Sequence, residues 1–204
     1  MNAPLKLTDR KRQAIVDAAI AEFRSTGFES TSMDKIAATA GVSKRTVYNH
    51  FPSKDELFAQ ILHELWTSIA SMPPPPYDPS QPLRAQLLDL LTKKMEMLQD
   101  GYFLDLARVA IAEAIHSPER AQEMVARLSV KEEAVTTWLR AAQADGKFTK
   151  ADPVLASQML QGNLKTFAFW PQVTLNQPPL DAATQRQVVE ATVEMFLAYA
   201  NAAA

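Results

Sequence analysis

The chain has 204 residues, a formal net charge of −2 at pH 7, 47% hydrophobic residues and no cysteine. That length fits one large domain or a small head on a larger body, and the apolar content is ordinary for a chain that buries a core. Absence of cysteine excludes disulfides, a thiolate nucleophile and a thiolate metal site. No apolar run approaches the ~20 residues of a membrane-spanning helix. The opening MNAPLKLTDRKRQ lacks the apolar stretch of a secretory signal. A cytoplasmic location with no membrane partner is the expectation.

Charge is unevenly spread. Residues 1–55 hold nine Lys/Arg against six Asp/Glu, and the remainder twelve against seventeen, so a +3 end precedes a −5 body. A basic end on an acidic body suits a nucleic-acid-binding head joined to a domain with another task.

In chain order, Thr8 opens a first helix running to about Thr26, with Ile15, Ala19, Ile20 and Phe23 on one face. Gly27 ends it, and Phe28 turns back into the core. Thr31 or Ser32 caps a short second helix, MDKIAATA, whose inner face is Ile36, Ala37 and Ala40. Gly41 makes the tight turn. Ser43 caps a third helix, KRTVYNHF. Val47 and Phe51 lie four apart and share its inner face. Lys44, Arg45, Tyr48 and Asn49 point elsewhere and carry groups that grip phosphates and read base edges. Pro52 stops this helix, and Ser53 with Glu56 forms a capping box for the next. Helix, glycine turn and a second helix with a polar outer face form the pattern of a helix-turn-helix.

The fourth helix runs from Ser53 to about Ser71, with an apolar stripe of Leu57, Phe58, Ile61, Leu62, Leu65, Trp66 and Ile69. MPPPPYDP ends it, since four prolines favour an extended run. Further helices are expected over Gln81–Gln99, Tyr102–Ile115, Pro118–Ala144, Pro153–Trp170 and from Asp181 to Tyr199. Met124, Val125, Leu128, Val135, Trp138, Leu139 and Ala142 form the stripe of the long one. Pro171 ends the next, and a loop rich in Pro, Gln and Asn follows. The expected architecture is all-α: a three-helix head, residues 1–52, on a six-helix ligand-binding and dimerisation body, residues 53–204.

The stretch GFESTSMDKIAATAGVSKRTVYNHFPSKDELF resembles the N-terminal domain of the TetR/AcrR family of bacterial transcriptional repressors. The likeness runs from about Thr8 to about Leu62. Phe28, Thr31, Ile36, Ala37, Ala40, Gly41, Val42, Ser43, Tyr48, His50, Phe51, Lys54 and Leu57 fall in register. The resemblance implies that Lys44, Arg45, Thr46 and Asn49 face the major groove of a double-stranded DNA operator. It implies that Tyr48, His50 and Lys54 hold phosphates, with Thr31 or Ser32 adding backbone N–H contacts. Arg45 occupies a position that is often a small residue in such proteins. Its guanidinium either forks to a guanine or reaches a phosphate. Arg10, Lys11 and Arg12 either touch the DNA or form a solvated helix face.

The last two helices are apolar on more than one face, which a partner subunit would cover. The resemblance likewise implies a homodimer. Met159, Val188, Met195 and Tyr199 are the candidate interface residues. A body of this family carries a pocket for a small apolar or amphipathic effector. Trp66, Tyr102, Phe103, Arg108, Trp138, Asn163 and Phe167 are its candidate lining. Glu113 and His116 also fall on otherwise apolar helices.

Catalysis has little support. His63-Glu64 is followed by Leu, Trp and Thr, so it is not a zinc-binding HExxH helix. No GxSxG, phosphate-binding or dinucleotide glycine pattern occurs. Glu132-Glu133 beside Lys131 reads as surface. The expectation is a ligand-responsive repressor and not an enzyme, with no cofactor and no metal. A helical small-molecule-binding protein without DNA binding is the alternative.

Overall fold

The computed structural model describes residues 7–71 and 73–201, and the side chains at 120, 121, 123–133 and 201 lie outside the description. The expected stripe residues Met124, Val125 and Leu128, and Lys131, Glu132 and Glu133, fall among those side chains. All described regular structure is helical. The helices are α1 (Leu7–Thr26), α2 (Met33–Thr39), α3 (Lys44–His50), α4 (Lys54–Ala70) and α5 (Leu83–Leu98). They continue with α6 (Gly101–His116), α7 (Pro118–Ala144), α8 (Pro153–Ala168), α9 (Trp170–Leu175) and α10 (Ala182–Asn201).

The chain divides into two compact units. One contains residues through Thr67 and returns for Asp105–Gln122; the other contains Ser68–Leu104 and Glu123–Ala204. This differs from a division at residue 52. The first unit keeps most of α4 because that helix completes its core. Phe58 packs edge-on against Phe28 at 5.3 Å, and Phe28 in turn meets Phe23 at 5.2 Å. Ile15, Val16, Ala19, Ile36, Val47, Phe51, Leu57 and Ile61 are buried around them. Each large apolar side chain so buried is worth about 1.5–3 kcal/mol before entropy is charged against it. Leu62 and Ile69, expected in the buried stripe, are only half-buried.

In the second unit α10 packs on α5 and α8, and α5 also meets α8. Leu87, Leu91, Met95, Leu98, Leu160, Leu164, Val193 and Phe196 form the buried interior. Phe148 closes on Phe196 edge-on at 5.5 Å. Gln99 is a polar bracket here. Its Nε2 donates to the Ala168 carbonyl at 2.8 Å, and its Oε1 accepts from the Leu180 N–H at 2.5 Å.

Local chemistry sets most helix ends. Asp152 caps α8 by accepting from Leu155 N–H at 2.8 Å, with Pro153 in the first turn. Asp181 does the same for α10, accepting from the Ala183 and Thr184 N–H groups at 2.9 Å. Those bonds hold its carboxyl below the usual range, led by the Thr184 backbone bond. Of the expected loop after Pro171, residues 172–175 are instead helical, and 176–181 form the connection to α10. Pro171 lies in the first turn of α9, where its missing N–H costs nothing. The break sits one residue earlier than Trp170, at Phe169, whose φ of −136° and ψ of −62° are not helical. Gln172, buried, holds the corner by donating to the Phe167 and Pro178 carbonyls.

Candidate functional site

The turn between α2 and α3 is built by backbone bonds. Val42 N–H donates to the Ala37 carbonyl and Gly41 N–H to Ala38, both at 3.1 Å. This is a Schellman ending, and it places Gly41 at φ +65°, a conformation that other residues adopt at a cost. Ser43 then caps α3, its Oγ accepting from Thr46 N–H at 3.1 Å. Ser32, rather than Thr31, caps α2, accepting from Lys35 N–H at 3.2 Å. Phe51 leaves the helical region at φ −138°, as a residue before proline does. Val47 and Phe51 are buried, which fixes the opposite face of α3 outward. Lys44, Arg45, Tyr48 and Asn49 are exposed there, and Thr46 and His50 are half-buried.

The cations of this unit divide into tethered and open ones. Lys44 Nζ on α3 pairs with the Asp34 carboxylate on α2. Lys54 Nζ donates to the Phe28 carbonyl at 2.6 Å and the Glu29 carbonyl at 3.1 Å, and lies 4.3 Å from the Phe28 ring centre. Two of its three donors therefore close the turn before α2. Arg12 donates to Gln60 Oε1 at 2.8 Å and stacks 4.8 Å over the Phe51 ring. Of the basic triplet, then, Arg12 belongs to the internal packing. Lys35 pairs with Glu22 at 2.7 Å. Arg45 has no hydrogen bond or ion pair within the chain among the described residues, so its five donors face solvent.

The Thr31 side chain has a structural place in this unit. It is buried, and its hydroxyl bonds the Gly27 carbonyl at 2.7 Å and lies 2.9 Å from Thr26 Oγ1. It ties the end of α1 to the start of α2. Glu22 is a second tie that the sequence reading missed. Its Oε2 lies on Lys35 and its Oε1 accepts from Thr39 at 2.6 Å. The Lys35 and Thr39 bonds hold the Glu22 carboxyl below the ordinary range against the effect of burial. No sequence spacing marks Glu22 or Asp34 for these roles; each pairs with a residue on a different helix.

The expected pocket residues are not brought together in one unit. Trp66 and Arg108 belong to the first unit, and Tyr102, Phe103, Trp138, Asn163 and Phe167 to the second. Arg108 is committed to Asp105, three residues before it, at 2.5 Å. Phe103 and Trp138 are buried, Tyr102 is exposed and Asn163 half-buried. Phe167 is 52% exposed; it follows Leu155 and Met159 along the outer face of α8. Phe169 is the one that meets Phe103, at 6.0 Å. Tyr77 lies edge-on to Trp138 at 5.4 Å. Its hydroxyl donates to Asp145 at 2.5 Å. Burial, then that bond, raises the Tyr77 pKa to about 12. The Tyr77 bond lowers that of Asp145.

Of the expected interface residues, Met159, Met195 and Tyr199 are exposed, at 44%, 62% and 40%. Val188 is not: it is 9% exposed and falls on the inward spacing with Val189, Thr192, Val193 and Phe196. Leu155 and Trp170, apolar residues of the same stretch that are not among those four candidates, are exposed at 46% and 47%. The four-residue step from Leu155 to Met159 was the available signal.

A helix-turn-helix with an outward polar second helix, followed by an apolar-cored helical bundle, defines a DNA-binding regulator class. Residues 15–61 match the family model described as bacterial regulatory proteins, tetR family. Residues 85–201 match the C-terminal domain of AefR-like transcriptional repressors. The chain belongs to the TetR family of transcriptional regulators. A crystal structure of a TetR family transcriptional regulator from Pseudomonas syringae pv. tomato str. DC3000 is similar, with 53% identity and a TM-score of 0.79 over 95% of this chain and 98% of that one. The flavonoid-responsive regulator FrrA is similar at 26% identity and a TM-score of 0.68, over 96% and 100% of the two chains. An uncharacterized HTH-type transcriptional regulator, YhgD of Bacillus subtilis, is 32% identical over 55% of this chain and 62% of its own length. The chain thus spans less than two thirds of the curated relatives it matches over the longest stretches, at 62% and 58% of their lengths. No helix among the described residues is long and apolar enough to cross a membrane.

Proposed function

We propose that the protein is a ligand-responsive transcriptional repressor that binds a near-palindromic operator as a homodimer, and not an enzyme. The observation that carries this reading is the outward face of α3. Arg45, Tyr48 and Asn49 stand exposed on a helix whose start and inner face are fixed by Ser43, Val47 and Phe51. That arrangement suits a recognition helix lying in a major groove. The repressor sign is supported by the description of the C-terminal family model.

Dimerisation is supported by the apolar side chains left open on adjacent helices: Leu155, Met159 and Phe167 on α8, and Met195 and Tyr199 on α10. A second copy that brought its own α8 and α10 against them would cover this face and set two heads at a fixed spacing. The effector is a small apolar or amphipathic molecule, as the flavonoid response of one similar regulator illustrates. Its binding in the body lowers DNA affinity, and DNA weakens its binding by the same factor.

The test is selection of duplexes from a random-sequence pool by the full chain. Enrichment of an inverted repeat with half-site centres about 34–36 Å apart, or a multiple, supports the reading. Salt-sensitive retention with no enriched sequence would leave a non-specific binder. No retention at all would reject DNA binding.

A further inference from the structure

Lys44 is the first residue of α3, beside Arg45, and its Nζ donates to Asp34 Oδ2 on the first turn of α2. The pair therefore brings an acid from the first helix of the motif to the N-terminal end of the second. That end is the part of a recognition helix that meets base edges. Both side chains are mostly exposed. An ion pair so open to solvent contributes little to stability. Asp34 Oδ1 has no hydrogen bond within the chain among the described residues, so the motif carries a free acceptor on Asp34 as well as the free donors of Arg45. Glu22 differs, because both its oxygens are committed inward, to Lys35 and Thr39.

We propose that Asp34 reads a base: its carboxylate accepts a hydrogen bond from the N4 amino group of a cytosine, at a position of each half-site distinct from the one Arg45 reads. This rests on the operator-binding reading above and names part of the sequence recognised. A lone carboxylate is repelled by the phosphates on either side of the groove. Lys44 removes that obstacle, since the pair has no net charge, and one of its three ammonium donors suffices to hold Oδ2. What remains is Oδ1, an acceptor and nothing else. Of the base edges in the major groove, cytosine offers an amino donor with no acceptor beside it. Guanine offers N7 and O6, and thymine O4, all acceptors that oppose a carboxylate. The amino group of adenine lies beside its N7 acceptor, so cytosine is the better match. Being neutral, the pair adds choice of sequence without adding to the salt-dependent hold on the backbone.

The experiment selects duplexes from a random-sequence pool with full-length wild type, Asp34→Asn and Asp34→Ala. Each protein is then titrated with the wild-type operator and its single-base variants. The operator should carry a cytosine in each half-site that Asp34→Ala no longer selects. Replacing that cytosine by thymine in one half-site should weaken wild type about fivefold to 150-fold, and Asp34→Ala less than twofold. Asp34→Asn sets a donor beside the acceptor, the pattern that matches adenine N6 and N7, so its selected duplexes should carry adenine there. If all three proteins select the same bases, the proposal is overturned. That holds whether the variants bind every duplex more tightly, as removal of a like charge would cause, or more weakly, as a disturbed α3 would.

A wild type that enriches no sequence refutes the operator-binding reading and this proposal together. An enriched inverted repeat whose base preferences survive in both variants refutes the proposal alone. Urea midpoints check that the fold is kept. If Asp34→Ala fails to fold, Asp34→Asn, nearly identical in shape, decides the case. Loss of the cytosine preference in that variant supports the proposal, and its retention overturns it.

Discussion

Replacing Arg45 with alanine separates reading from gripping. Arg45 sits in the first turn of α3 with no partner in the chain among the described residues, whereas the adjacent Lys44 is paired with Asp34. A guanidinium forked to guanine O6 and N7 discriminates against the wrong base by about 1–3 kcal/mol. A symmetric dimer presents two copies, so the double loss is about 2–6 kcal/mol, or roughly 30-fold to 10⁴-fold in operator affinity. Lys44→Ala should behave differently. Both members of its ion pair are mostly exposed, at 66% and 53%, so release from Asp34 costs under about 1 kcal/mol. If Lys44 turns to a phosphate, its removal weakens specific and random duplexes alike and flattens the salt slope by about one per contact. The assay is fluorescence anisotropy on the selected operator, on single-base variants of it and on random duplex, at several salt concentrations. Arg45→Ala should flatten the preference at one base position in each half-site. Equal losses on operator and random DNA, with that preference intact, would assign Arg45 to the backbone and refute the base-reading argument.

Placing a charge on the open apolar face, as in Met195→Glu, buries an unpaired ion in the dimer at a cost of several kcal/mol. Sedimentation should show monomers with unchanged helicity, and an intact dimer would remove Met195 from the interface. Ser43→Ala removes the cap of α3 and should cost about 1 kcal/mol of stability, seen as a lower urea midpoint. A midpoint shift in Ser43→Ala no larger than that of an exposed surface control would show the cap to be idle. Glu22 has a folded pKa below its ordinary 4.5, so the stability it contributes is present above that pH and lost as pH falls through the folded value. Urea midpoints of wild type and Glu22→Gln should therefore differ at pH 7 and converge below pH 4.5. Curves that stay parallel through that range would show that the Glu22 charge is not what matters.

What the sequence displayed best was whatever is local. Ser43, Ser53, Asp152 and Asp181 bond N–H groups two or three residues on, so spacing alone reveals them as caps. Apolar periodicity revealed the inner faces of α1 to α4 for the same reason. Pro171 misled because proline both stops one helix and suits the first turn of the next. The choice between these depended on Gln172 reaching the Phe167 and Pro178 carbonyls, a tertiary fact. Aromatic composition likewise could not tell Phe167 from Phe169. Phe167 lies on α8 and Phe169 at the break that follows it, and only packing says which meets Phe103.

The charged residues carry this distinction furthest. A lysine or arginine in a helix-turn-helix has the capacity to hold DNA, and sequence reports that capacity alone. Availability depends on what the folded chain has already given it. Lys54 is occupied by two carbonyls, Arg12 by Gln60 and a ring face, Lys35 by Glu22, and Lys44 by Asp34. Those first three hold the first unit together, and drawing them onto phosphate would loosen the turn, the α1–α4 contact or the α1–α2 contact. Lys44 can move at little cost, because its pair is exposed. Arg45 needs no release at all. The positive charge counted in residues 1–55 is therefore not the charge the DNA meets, and the sequence preference of the protein should follow α3 much more closely than the basic residues of α1.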